Sequence, residues 1–120
     1  MSTPKQAAME LYTAQLQTKF AIKEVNVELL NKIVNKLGIA AYNTASDAAM
    51  VSGKEQTEKD VVINKLLIGN LGLESSKEEL NAILDKAIEE YGVSNSKKYR
   101  VVLYYVIINN LKMVDTYMAL

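Results

Sequence analysis

The chain has 120 residues, 49% of them hydrophobic, and it contains neither cysteine nor histidine. This composition is typical of a folded globular protein, and it excludes disulfides, thiol nucleophiles, thiolate zinc sites and histidine-based catalysis or metal binding. The 14 basic and 14 acidic residues cancel, so no net charge attracts the protein to nucleic acid or to a membrane.

Two helices are predicted before the first glycine. Thr3 and Pro4 are typical of a helix start, and the apolar spacing after them predicts a first helix over about residues 4–20. Asn26 is a typical N-cap for a second helix, which ends at Gly38. One apolar stripe runs along that helix: Leu29, Leu30, Ile33, Val34 and Leu37.

The second helix ends in a pattern that recurs twice. Leu37-Gly38-Ile39, Leu71-Gly72-Leu73 and Tyr91-Gly92-Val93 each place a glycine between two apolar residues. A glycine in the left-handed conformation, followed by an apolar residue that packs on the last turn, is a common helix ending. The pattern predicts three helix C-termini of the Schellman type.

The middle of the chain is less regular. Short turns and a loop are predicted over residues 39–51. Ser52 and Glu55 form a capping-box pattern, which predicts the start of a third helix that ends near Leu71. Gly69 lies inside that helix, where glycine costs up to about 1 kcal/mol relative to alanine. It either permits close helix packing or is tolerated near a frayed end.

A fourth helix follows a second capping-box pattern, Ser76 with Glu79, and ends at Gly92. Residues 94–96 can cap a helix, and the last helix is predicted over residues 97–117. Its core, 101–108, is rich in strand-favouring residues, so a strand is the alternative. Helix is favoured because no turn residue interrupts the run and no partner strand is evident.

These elements predict a compact all-α domain of about five helices over residues 1–120, with a buried apolar C-terminal helix. Residues 1–5 are the part of the chain that we expect to be least well ordered. No apolar segment resembles a signal peptide, and the longest apolar run is far shorter than the about 20 residues of a membrane span. We therefore expect a cytoplasmic protein with no membrane partner.

Three basic residues, Lys97, Lys98 and Arg100, cluster at the start of the last helix. Positive charges there oppose the helix dipole, so a bound anion would compensate them. Weak anion or nucleic-acid binding is one interpretation, nucleic acid being the less favoured. The other is ion pairing with Glu89 and Glu90, or a solvated face.

Tyr104 and Tyr105 are candidates for contact with a partner. Because adjacent helical residues diverge, we expect one in the core and the other at a surface or interface. A homo-oligomer or an unknown protein partner would supply further cover for a helix that is apolar on all sides; the alternative is a core that the other helices cover fully.

No catalytic pattern is found. The paired carboxylates at Glu78-Glu79 and Glu89-Glu90 point in different directions on a helix, and no phosphate loop or nucleophile elbow occurs. The sequence thus predicts a non-enzymatic protein without cofactor or metal, acting as an interaction module or homodimer.

The last third of the chain resembles a family of small bacterial proteins of unknown function. The resemblance lies in Leu71-Gly72-Leu73, in the stretch from Glu90 to Arg100 that reads EYGVSNSKKYR, and in Val102 with Tyr104-Tyr105. A further match is the Ala-x-x-Val-Ser pattern ending at Ser52. The resemblance covers most of the chain from Val25 and implies a compact helical fold, with no activity attached.

Overall fold

The computed structural model describes residues 3–44, 49–51, 56–92 and 98–120. The helices, in chain order, are α1 (Pro4–Lys19), α2 (Val27–Leu37), α3 (Ile39–Tyr42), α4 (Gln56–Val62), α5 (Lys77–Tyr91), α6 (Arg100–Asn110) and α7 (Val114–Met118), with a π-helical segment, Ile63–Asn70, continuing α4. Within these residues there is no strand, only one isolated antiparallel bridge between Met50 and Tyr99. The predicted all-α fold is confirmed.

The first two helices begin where the capping residues predict. The Gln6 N–H donates to Thr3 Oγ1 at 3.1 Å, and the Thr3 N–H donates back to Gln6 Oε1 at 2.9 Å. The Leu29 N–H donates to Asn26 Oδ1 at 3.1 Å. Each contact satisfies a backbone donor that the first helical turn leaves unpaired.

All three glycines follow a helix at positive φ, with values of 60° at Gly38, 68° at Gly72 and 106° at Gly92. The predicted helix ends are therefore confirmed. The ψ values of −128° at Gly38 and 109° at Gly92 nevertheless lie outside the left-handed helical region. These two ends are glycine-only turns and not the predicted Schellman motif, which requires a left-handed helical residue.

The third predicted helix changes its winding half-way. Its predicted capping box at Ser52 and Glu55 lies outside the described residues. α4 is regular, but the chain then winds into the π-helical segment, whose wider turn brings the Leu71 N–H to the carbonyl of Leu66, 2.9 Å away. Such π-helical turns are rare and occur often at functional sites.

Gly69 lies within the π-helical segment. A Cβ atom added there would be 3.0 Å from the backbone carbonyl oxygen of Asn64. The close approach is thus to the backbone of its own helix and not to a neighbouring helix. The wide π turn, which the sequence did not predict, is the reason that glycine fits this position.

α5 matches its prediction. The Glu79 N–H donates to Ser76 Oγ at 3.2 Å at the start, and Gly92 follows its last residue. Its buried side chains lie along one face: Leu80, Leu84, Ala87, Ile88 and Tyr91.

α6 is the central helix, in contact with α1, α2, α5 and α7. Residues 101–108 are all buried, none more than 3% exposed, which confirms a buried helix and excludes the strand alternative. The expectation that one of Tyr104 and Tyr105 lies at the surface is wrong. Both are buried because neighbouring helices cover α6 on every side.

The last helix is shorter than predicted. The sequence predicts one helix to Tyr117, but α6 ends at Asn110, and Lys112 adopts a positive φ of 57° before α7 begins. This break turns α7 back against α2 and α6. Cover from α7 and the other helices removes the uncovered apolar surface on which the homodimer prediction depended, and the homodimer itself stays a prediction.

Tyrosine hydroxyls connect distant parts of the core. The Tyr12 hydroxyl donates to the Ala41 carbonyl at 2.6 Å, and the Tyr105 hydroxyl accepts from the Asn26 N–H at 2.8 Å. The Tyr91 hydroxyl donates to Gln15 Oε1 at 2.7 Å. Each hydroxyl thereby satisfies a polar group while its ring contributes to apolar packing.

We expect Gly69→Ala to lower the free energy of unfolding, because the added Cβ would press on the Asn64 carbonyl. In a regular helix the same change would stabilise by about 0.5–1 kcal/mol. Urea unfolding followed by circular dichroism measures the difference. Ala82→Gly, at an exposed position of α5, is the control and should cost about 1 kcal/mol. A more stable Gly69→Ala variant would show that the π turn places no constraint on this position.

The buried tyrosines predict a loss of stability at alkaline pH. Burial raises the pKa of Tyr12 to about 12, with a smaller contribution from Tyr99, and burial also raises the pKa of Tyr91. Above about pH 10 the unfolded chain releases phenolic protons that the folded chain retains, so the free energy of unfolding falls as pH rises.

Each such tyrosine should contribute a slope of up to about 1.4 kcal/mol per pH unit between about pH 10 and 12. Urea unfolding at several pH values in this window measures it, and Tyr12→Phe should give a shallower fall than wild type. Equal slopes in the two proteins would contradict the assignment to Tyr12.

Candidate functional site

A cavity of about 450 Å³ lies where α2, α4, the π-helical segment, α6 and α7 meet. Three basic side chains line it, one from each of three elements: Lys36, Lys65 and Arg100. No acidic side chain lines it within the part of the chain that the structure describes. The volume falls within the about 300–1,000 Å³ of typical small-molecule pockets.

Two tyrosines form the buried side of the cavity. Tyr104 on α6 and Tyr117 on α7 both line it, and each is 1% exposed. Burial raises the pKa of both phenols above the ordinary value. For Tyr104, the nearby Arg100 guanidinium opposes part of that rise. Both hydroxyls are therefore neutral hydrogen-bonding groups at physiological pH.

The Tyr104 hydroxyl has no hydrogen-bond partner of normal geometry, although the Arg100 guanidinium lies close enough to lower its pKa by its charge and by a hydrogen bond of poor geometry. Among the described residues it is the one buried side-chain polar atom left unpaired. An unpaired buried hydroxyl costs about 1–3 kcal/mol, and such groups are rare in folded proteins. The exception lies at the wall of the basic cavity.

The N-terminus of α6 adds to the positive character of this region. Arg100 is the first residue of α6, and the N-cap residue Tyr99 supplies no side-chain hydrogen bond. The first turn contains no acidic residue to offset the positive end of the helix dipole. Arg100 and Tyr104, one turn apart, therefore lie on the same side of α6 and face the same cavity.

The remaining basic residues lie at the mouth. Lys36 is in the last turn of α2 and Lys65 is in the π-helical segment, and both are exposed. Asn70, half-buried at the end of that segment, contributes an amide. Apolar side chains of Leu37 and Val61 complete the lining. The cavity thus combines exposed charged side chains with aromatic and apolar ones.

The structure separates the residues that the sequence grouped as one site. Lys97 lies outside the described residues. Lys98 is 3% exposed and does not line the cavity, and its carbonyl accepts the Val51 N–H at 2.7 Å. Arg100 and Tyr104 line the cavity together, whereas Tyr105 contacts Asn26 elsewhere. Two of the five candidates therefore meet at one site.

Four polar residues of the cavity were not predicted from the sequence: Lys36, Lys65, Asn70 and Tyr117. They are far apart in the chain and come together only through the packing of α2, the π-helical segment and α7 around α6. Lys65 carried a usable signal in its spacing, because it lies one helical turn after the apolar Val61.

Two other site classes find no support in the described residues. No three acidic side chains there are arranged as metal ligands. No helix among them combines the length and the apolar character that crossing a bilayer requires.

Comparison with known proteins identifies the family but adds no activity. Comparison with curated proteins finds no match to this chain. A family model described as "Protein of unknown function (DUF2853)" matches residues 11–115, which include every residue named in the cavity except Tyr117. Because that match covers most of the sequence, the chain belongs to the DUF2853 family of proteins of unknown function.

Proposed function

We propose that this protein is a non-enzymatic binding protein for a small anionic ligand, which it holds in the cavity between α2, the π-helical segment, α6 and α7. One observation carries the proposal: Lys36, Lys65 and Arg100 converge on a cavity that Tyr104 also lines, and the buried hydroxyl of Tyr104 has no hydrogen-bond partner of normal geometry. A ligand with negative oxygens would satisfy both features at once.

The charges support an anion over a neutral ligand. Three basic side chains at one cavity repel one another, and the α6 dipole places further positive potential at Arg100. Exposure of Lys36 and Lys65 to solvent reduces this repulsion, whereas the region around Tyr104 is shielded from water. An anion would thus gain most at the Arg100 and Tyr104 end.

Binding is favoured over catalysis on chemical grounds. The sequence has no histidine or cysteine, and the described cavity lining has no carboxylate to accept a proton. The raised pKa of the Tyr104 and Tyr117 phenols makes either a poor general base near neutral pH. We therefore assign these hydroxyls to ligand recognition in a cytoplasmic protein.

A cavity of about 450 Å³ fits a small ligand better than nucleic acid. Nucleic-acid binding needs basic side chains spread along an open surface that follows successive phosphates. Of the basic cluster first proposed for this role, Lys98 is buried, and Arg100 faces a cavity of about 450 Å³. Nucleic acid is therefore the lesser alternative, and binding of DNA or RNA but not of small anions would favour it.

We expect Arg100→Gln to weaken the binding of a small anion, such as inorganic phosphate, by roughly tenfold, because a charge-assisted hydrogen bond contributes about 1.5–3 kcal/mol. Lys65→Gln should weaken it only a few-fold, since Lys65 is exposed. Isothermal titration calorimetry at low salt measures both. Lys19→Gln, an exposed change on α1 away from the cavity, is the control. Equal affinities in all four proteins would refute the site.

Tyr104→Phe should separate stability from binding. Because the hydroxyl has no partner, its removal should leave the free energy of unfolding unchanged or raise it by up to about 1 kcal/mol, while anion affinity falls. Tyr12→Phe is the matched control. Its hydroxyl is bonded to the Ala41 carbonyl, so it should lose about 1–2 kcal/mol of stability and keep anion affinity. A Tyr104→Phe variant that binds like wild type would remove the hydroxyl from the site.

A further inference from the structure

We propose that the ligand is a phosphate monoester, meaning a phosphate dianion joined to a small organic group. This inference rests on the proposed anion-binding function and specifies its chemistry. Three features of the cavity support it: the number of positive charges, the directions from which donors arrive, and the space left over.

The number of charges favours a dianion. Lys36, Lys65 and Arg100 all line the cavity, and no acidic residue of the described chain shares it. Each of these charges attracts an anion, so a ligand with two negative charges gains more from the cavity than a ligand with one. A phosphate monoester carries a charge of about −1.5 to −2 near pH 7, because its second pKa is about 6.

The donors come from separate elements. Arg100 and Tyr104 belong to α6, Lys36 to the end of α2, and Lys65 to the π-helical segment. A phosphate ester has three terminal oxygens pointing in different directions, so it can accept from several walls of a cavity at once. A carboxylate has only two oxygens, both in one plane. Donors distributed around a cavity therefore suit a tetrahedral anion better.

The part of the cavity that a phosphate would not fill can hold an organic group. A liquid water occupies about 30 Å³, so the five heavy atoms of phosphate need no more than about 150 Å³. The cavity has about 450 Å³, and the rest of its lining includes Leu37, Val61 and the ring of Tyr117. These apolar surfaces would contact the organic part of an ester, which free phosphate lacks.

Calorimetry with four probes tests the inference on the full chain: phenyl phosphate, phenyl sulfate, inorganic phosphate and phenol. We expect phenyl phosphate to bind at about pH 8 at least tenfold more tightly than phenyl sulfate, its singly charged analogue, and phenol not to bind. Lowering the pH to about 5.5 should weaken phenyl phosphate several-fold and leave phenyl sulfate unchanged, because only the phosphate gains a proton. Arg100→Gln should remove most of the difference between the two esters, Lys65→Gln should reduce it only in part, and Lys19→Gln should retain it.

The outcomes separate this inference from the proposed function. Phenyl sulfate binding as tightly as phenyl phosphate, with no pH dependence, would overturn the dianion and leave an anion site. Inorganic phosphate binding as tightly as phenyl phosphate would overturn the ester. No binding by any of the three anions at low salt would overturn both proposals. Circular dichroism of each variant establishes that the helical fold is intact.

Discussion

The burial of α6 on every side is the constraint on which the rest of the structure depends. Eight consecutive residues, 101–108, are almost completely withdrawn from water, so neighbouring helices must cover every face of this helix. α1, α2, α5 and α7 all contact it. α7 can do so only because Lys112 reverses the chain after α6. The positive φ of a non-glycine residue there is a local cost that the burial of Tyr117 offsets.

Because α6 is completely buried, polar groups near it need hydrogen-bond partners within the protein. Hydroxyls carried into the core must find partners, and Tyr12, Tyr91 and Tyr105 do so at 2.6–2.8 Å. Tyr104 does not, although it is as deeply buried as the others. The exception coincides with the cavity that Arg100 and the two lysines line, and an unpaired group is tolerated most readily where a ligand can pair it.

The fold was predictable where the signal is local. Capping residues such as Thr3, Asn26 and Ser76, and the glycines after the helices, act within a turn of their own position, so sequence alone located those helix ends. The π-helical segment and the break at Lys112 were not predicted. The local residues would also allow a regular helix at both places. Packing of the π-helical segment against α5, and of α7 against α6, decides between the two conformations.

The residues of the candidate site likewise divide into those that local sequence predicts and those that it does not. Arg100 and Tyr104 were singled out because they are one turn apart at the start of one helix, where position in sequence fixes position in space. Lys36 and Lys65 join them from 64 and 35 residues away in sequence, through the packing of α2 and the π-helical segment beside α6. Lys98 was predicted with Arg100 but is buried beside the bridge between Met50 and Tyr99, where its carbonyl accepts the Val51 N–H. The helical start at Arg100 therefore separates the two described basic residues: Lys98, before it, lies in the core, and Arg100 itself faces the helices that cover α6.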